Sequence, residues 1–290
     1  LIDRLAFQAN RTAKSPNSDA VHDLRVAIRR LEHALVTFKV HLPRKQMKKI
    51  RKQLKAVLSC GGALRDYDVA ARILSKIRQP GAAALHREVR ARRRDAEKAL
   101  LVTLKRLSLR TRVSKWRDDL ELNAPQADFH ARMLGTMARS TMPRLAQSFF
   151  DAGEAAVTHG SAERLHDFRI LVKKFRYTLE LFVPIYGSLA DGWLREIRSA
   201  QSILGAINDY HSVLSIAGDV GPDKKLQAAL KKSERRKIRQ FRAIWSERFS
   251  GPVSARWVRA LRSGGEDRPI VRKPINGSEA TAQEAIAARA

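Results

Sequence analysis

The residues best equipped for chemistry form two matching rows of bases, each headed by a histidine. The first is His22, Arg25, Arg29 and Arg30; the second is His166, Arg169, Lys173 and Lys174. The two segments, Val21 to Leu31 and Leu165 to Phe175, stand 144 positions apart (22 against 166), and the match runs on through Leu35 with Leu179 and Phe38 with Phe182. On a helix, positions i, i+3 and i+7 share one side, so His22, Arg25 and Arg29 form a row, as do His166, Arg169 and Lys173. An ordinary amphipathic helix keeps its apolar stripe and lets its polar face drift. Here the polar face is kept as well, which marks it as a working surface. Side chains three or four positions apart on a helix lie about 5–6 Å from one another at Cβ, close enough for long bases to take successive phosphates of one chain. Arginine can grip a phosphate with two parallel hydrogen bonds. A neutral imidazole can donate one, and a nearby anion favours its charged form.

A second correspondence lies 143 positions apart (62 against 205): Gly62-Ala63-Leu64-Arg65-Asp66-Tyr67 matches Gly205-Ala206-Ile207-Asn208-Asp209-Tyr210. Upstream of it, Lys52 and Lys55 match Arg195 and Arg198 on one side of their helices. Set beside the histidine rows, they make a basic surface built by two helices per copy. The simplest role for Asp66 and Asp209 is to cap a helix restarting after glycine; orienting a neighbouring Arg or Lys is the alternative.

Composition narrows the partner. The 290 residues carry 57 Lys+Arg against 29 Asp+Glu, a formal charge of +28, yet 44% are apolar. This is a folded protein with a core that attracts polyanions at long range: a nucleic acid, an anionic membrane or a polyphosphate. The single cysteine, Cys60, excludes a disulfide framework and a Cys-rich zinc module, and suits a reducing cytoplasm. No run approaches the ~20 apolar residues a membrane span needs, and no signal peptide is visible. No Gly-rich loop with Lys-Ser/Thr is present to cradle a nucleotide, and no carboxylate cluster to hold Mg²⁺. Neither a catalytic role, a metal site nor a cofactor is expected. Single-stranded nucleic-acid sites add aromatic platforms, but aromatics are 6% here. Phe38, Phe168, Phe175 and Phe182 fall on apolar faces, and only Tyr177 falls on the basic one.

The elements that must position these rows are helices throughout; no β-branched alternation competes with the 3.6-residue period. A first helix ends near residue 14. Ser18 or Asp19 is expected to cap the next, which carries the first row to about 41. Pro43 opens a helix to about Cys60, which Gly61-Gly62 stops; a shorter one follows Asp66 to about 78. After the Pro80-Gly81 turn a long basic helix fills about 82–107. The same order returns over about 127–157, 162–183, 190–205, Asp209 to 218, and 223–249, with a short helix near 253–262. The expected layout is a first helical repeat at 1–110, a linker at 111–126 and a second repeat at 127–250. Residues 251–290 are then a short helix and a disordered tail, Gly-, Pro- and Ala-rich with little apolar periodicity. Long helices with short connections favour antiparallel bundles.

Two copies of His-x-x-Arg-x-x-x-Arg/Lys-Arg/Lys followed by Gly-x-x-Arg/Asn-Asp, on an all-α background over about residues 1–250, resemble the CHAD family (conserved histidine α-helical domain). The residues that carry the resemblance are His22, Arg25, Arg29, Arg30, Gly62, Arg65 and Asp66, then His166, Arg169, Lys173, Lys174, Gly205, Asn208 and Asp209. It implies an all-α fold of two pseudo-twofold-related helical bundles around a basic central surface or channel. It also implies binding of inorganic polyphosphate and residence at polyphosphate granules, with some members on polyester storage granules. The family's frequent companion, a triphosphate-processing CYTH domain, is not in this chain; a start at Leu1 rather than Met leaves one upstream open. The second copy has Lys for Arg at 173 and 174 and Asn for Arg at 208, losing guanidinium forks. The expected ligand residues are His22, Arg25, Arg29, Arg30, Lys52, Lys55 and Arg65 with His166, Arg169, Lys173, Lys174, Arg195 and Arg198. The rival readings are sequence-independent binding of nucleic acid and a scaffold role on a storage granule.

Overall fold

In the computed structural model, residues 1–122, 127–221 and 223–264 are described, and they contain helix and connecting turns but no strand. The first half comprises α1 (Ile2–Lys14), α2 (Ser18–Thr37, followed by a 3₁₀ turn at Lys39–His41), α3 (Arg44–Leu74), α4 (Pro80–Leu107) and α5 (Leu109–Asp119). The second comprises α6 (Ala127–His159), α7 (Ala162–Leu181), the one-turn α8 (Val183–Tyr186), α9 (Ser188–Val220), α10 (Lys224–Arg248) and α11 (Val253–Ser263). Among the described residues no helix is long and apolar enough to cross a membrane.

Several local expectations change. The cap of α2 is Asn17, whose Oδ1 accepts from the Ala20 amide at 2.9 Å. Ser18, one of the two residues expected there, accepts instead from Arg65 Nη1 at 2.6 Å. The glycines at 61, 62 and 205 do not stop their helices: α3 and α9 run straight through them. Asp66 and Asp209 therefore lie inside helices and cap nothing. An interior glycine costs a helix about 1 kcal/mol, and burial on both sides outweighs it: Ile50, Leu54 and Val57 before the pair, Leu64 and Val69 after it. The stretch expected as a linker is helical up to Asp119, and Val113, Trp116 and Leu120 are buried in the first half's core. Residues 123–126 of that linker and the tail from 265 lie outside the described residues.

Three apolar clusters hold the helices together. One is built by α1 to α5 and is aliphatic apart from Trp116. The second is built by α6 to α11 and is rich in rings, including Phe149, Phe168, Phe175, Phe182, Trp245 and Trp257. Gly153 sits against the Trp245 indole so closely that any Cβ would overlap the ring. The third cluster draws on both halves: Ala70, Leu74, Leu85 and Val89 with Val213, Ala217, Leu226 and Leu230. Each of these residues has its repeat counterpart in the same cluster (70 with 213, 74 with 217, 85 with 226, 89 with 230).

Counterparts meeting counterparts is what a pseudo-twofold axis produces. It recurs where α2 lies along α7. His33 touches Tyr177, its counterpart, with ring centroids 5.1 Å apart. Phe38 meets Phe182 edge-on at 6.4 Å. Both contacts keep the same offset, so α2 and α7 run in the same direction, side by side along the axis. The phenylalanine pair closes one end of this seam and the shared apolar cluster closes the other. The basic rows lie between them.

Candidate functional site: a basic seam on the pseudo-twofold axis

The rows do not face open solvent. Arg25, Arg29, Arg169 and Lys173 are only partly exposed, because each row faces the other half. Arg25 lies along the backbone of α3, where Nη1 donates to the Leu58 carbonyl at 3.2 Å. The glycine pair makes this possible. A Cβ at Gly62 would stand 3.0 Å from Arg25 Nη1, and one at Gly61 would stand 3.6 Å from its Cγ. The glycines that looked like helix stops are thus a bed for a site arginine.

Electrostatics records how closely the two halves converge. Burial pushes the Arg25 guanidinium down to about 10, helped by Arg29, Arg65 and Arg169 and opposed by Asp66. Burial likewise lowers Arg169, which Asp209 and Asp66 partly offset and Arg29 reinforces. Lys173 is pushed down to about 7, first by burial and then by Arg169, Arg29 and Arg25. Two carboxylates share the seam, Asp66 and Asp209. Burial raises both, while the surrounding arginines pull the other way. Arg72 Nη2 stands 4.0 Å from Asp209. Arg25, Arg29, Arg65, Arg169 and Lys173 thus gather around two acids whose charge partly offsets their mutual repulsion. The orienting alternative considered for these acids fits their position better than the capping role.

The other expected ligands sit further out. His22 and His166 lie at the exposed edge. His22 is shifted downward by partial burial and then by Arg65, and His166 Nδ1 is 3.2 Å from Asn208 Oδ1. Lys174 is exposed, as are Lys52, Lys55, Arg195 and Arg198. Lys55 reaches the buried end electrostatically only through Glu32, whose carboxyl burial raises and whose neighbours Arg51, Arg29 and Lys55 lower. Arg30 and Arg198 are engaged elsewhere, at 3.0 and 3.7 Å from Glu180, which also accepts from Arg176 at 3.0 Å.

Reading the sequence missed His33, Arg176 and Glu180. His33 is pushed down to about 4 by burial and by Arg29, Lys174 and Arg176, so it is a neutral ring at the floor of the seam. Tyr177 is buried beneath the Arg176 guanidinium, 4.4 Å from its ring centroid, rather than offered as a stacking platform. One signal was available: 33 and 177 share the offset that aligns the histidines, but an imidazole against a phenol does not stand out as a repeated pair.

A family model described as the CHAD domain matches residues 2–215. Among solved structures, the CHAD domain from the plant Ricinus communis superposes with a TM-score of 0.59 at 22% identity, covering 93% of this chain and 89% of its own. PptA from Streptomyces chartreusis gives a TM-score of 0.57 at 18% identity, covering 85% of this chain and 96% of its own. No curated protein gives a significant match. The matched span contains both histidine rows, both glycine–aspartate segments and the seam where they meet, and this chain belongs to the CHAD-domain family.

Proposed function

We propose that the chain binds inorganic polyphosphate along the axial seam, without hydrolysing it, and that this binding places it at polyphosphate granules in the cytoplasm. The observation that carries the reading is Lys173, driven down to about 7 inside a ring of arginines. Packing like charges this closely is costly, and a chain carrying about one negative charge per phosphate relieves the cost by entering between them. Arg169 Nε is buried without a hydrogen-bond partner among the described residues, and a phosphate oxygen is the acceptor such a group takes. The seam gathers cations from both halves, and Tyr177, the aromatic expected on the basic face, is buried. This chemistry suits phosphate alone better than nucleic acid.

The test is titration with long-chain polyphosphate at fixed salt, in competition with DNA at equal phosphate concentration. Arg29→Gln with Lys173→Gln should weaken binding at least about a hundredfold, two charge-assisted hydrogen bonds being worth about 1.5–3 kcal/mol each. Circular dichroism should show helicity retained. Unchanged affinity in the double variant, or equal displacement by DNA, would reduce the binding to the +28 charge. Shortening of the chain in a product assay would refute the non-catalytic part.

A further inference from the structure

The two halves differ in charge at one place. In the first half Arg65 reaches across to Ser18, and Arg93 bonds Asp68 through Nε at 2.7 Å and the Pro16 carbonyl at 3.3 Å. The counterparts of Arg65, Ser18, Arg93 and Asp68 are Asn208, Ala162, Glu234 and His211. The last helices align at 141 positions (93 against 234), as the buried pairs Leu85 with Leu226, Val89 with Leu230 and Leu104 with Trp245 establish. Two arginines are thus replaced by an amide and a carboxylate, a serine by alanine, and an Asp–Arg pair by a His–Glu pair of opposite polarity. His211 Nδ1 stands 3.6 Å from Glu234 Oε1. All four replacements line a single cavity of about 360 Å³ between α7, α9 and α10, with Glu163 and His166 at its edge. The cavity stands where the first half keeps two guanidinium groups.

We propose that this cavity binds a small organic cation carrying a guanidinium or primary amine, in the place that the arginines take in the first half. The size is in the range of small-molecule sites, about 300–1,000 Å³. The polar lining offers two acceptors, the Glu234 carboxylate, only 16% exposed, and the Asn208 amide oxygen, with the His166 and His211 imidazoles beside them. Leu165, Leu204 and Ile207 supply an apolar wall for a short methylene chain. An anion is disfavoured by Glu163 and Glu234, although the protein as a whole is strongly basic. The first half shows that the fold holds a guanidinium at this position. The proposal does not depend on polyphosphate binding, since it concerns the protein alone.

The probe is agmatine, which carries one guanidinium and one amine, titrated calorimetrically into the full chain at constant ionic strength, with the uncharged butylurea as control. Saturable binding of one agmatine per chain is expected, with none for butylurea. Glu234→Gln should weaken it by about tenfold or more, the scale of one charge-assisted hydrogen bond. Ala162→Ser with Asn208→Arg installs the first half's own bond in the cavity and should abolish binding while leaving the melting temperature within a few degrees. Absence of saturation up to about 10 mM, or agmatine affinity unchanged in both variants, would overturn the proposal. So would equal binding of butylurea.

Discussion

At the scale of residues, Lys173 should make the proposed polyphosphate binding depend on pH. Its value, pushed down to about 7 by burial and three arginines, should return toward the ordinary lysine range when a polyanion sits beside it. Binding above about pH 7 then takes up a proton, and affinity falls as pH rises; below that, Lys173 is already charged and contributes no uptake. Calorimetry in two buffers of different ionisation enthalpy should detect the uptake in the wild type and lose it in Lys173→Met. Stability of the free protein moves the opposite way. The folded value lies below the unfolded one, so above about pH 7 the unfolded chain holds more protons, and this residue's contribution grows with pH toward the lysine range. The histidine and arginine rows could be read from the sequence because both copies keep them. Their half-burial could not, since it comes from the other half. For the same reason Arg30 and Arg198 looked like free ligands: their partner Glu180 stands opposite Val36 in the repeat, a position with no charge to betray it.

At the scale of elements, the glycines of α3 and α9 separate two roles that one motif conceals. A Cβ at Gly205 meets nothing within 4 Å, whereas one at Gly62 meets Arg25 Nη1. Gly205→Ala should therefore stabilise the protein by about 0.5–1 kcal/mol, the usual gain for an interior helical position. Gly62→Ala should gain less, because Arg25 must shift, and should weaken polyphosphate binding, which Gly205→Ala leaves unaltered. Urea unfolding and the polyphosphate titration read the two effects separately; equal behaviour of both variants would remove the glycine bed from the account. Helix type and order were legible from periodicity and from Pro16, Pro43 and Pro80. The false break at 61–62 arose because glycine can end a helix or admit a close neighbour, here Arg25, and local sequence does not distinguish the two; at 205 the glycine admits no neighbour and is simply tolerated inside α9. The irregular look of 110–126 had a similar origin. Leu109, Val113, Trp116 and Leu120 do form an apolar stripe, but the charges between them are dense enough to obscure it.

At the scale of the whole molecule, the shared cluster makes each half incomplete. Residues 1–122 alone would expose Ala70, Leu74, Leu85 and Val89, which α9 and α10 cover in the full chain. The full chain should unfold in one cooperative transition. The isolated 1–122 fragment should associate or bind a hydrophobic dye; a monomeric fragment with a sharp thermal transition of its own would contradict this. The contact of His33 with Tyr177 carries a further consequence. Were either half to pair with an identical copy of itself, symmetry would set histidine on histidine or tyrosine on tyrosine at that point. Joining the two in one polypeptide lifts the restriction: the partners at the axis can diverge, one imidazole against one phenol. The same freedom allows an arginine on one side to become a carboxylate on the other. Two repeats in one chain replace a surface that must match itself with two surfaces that can specialise.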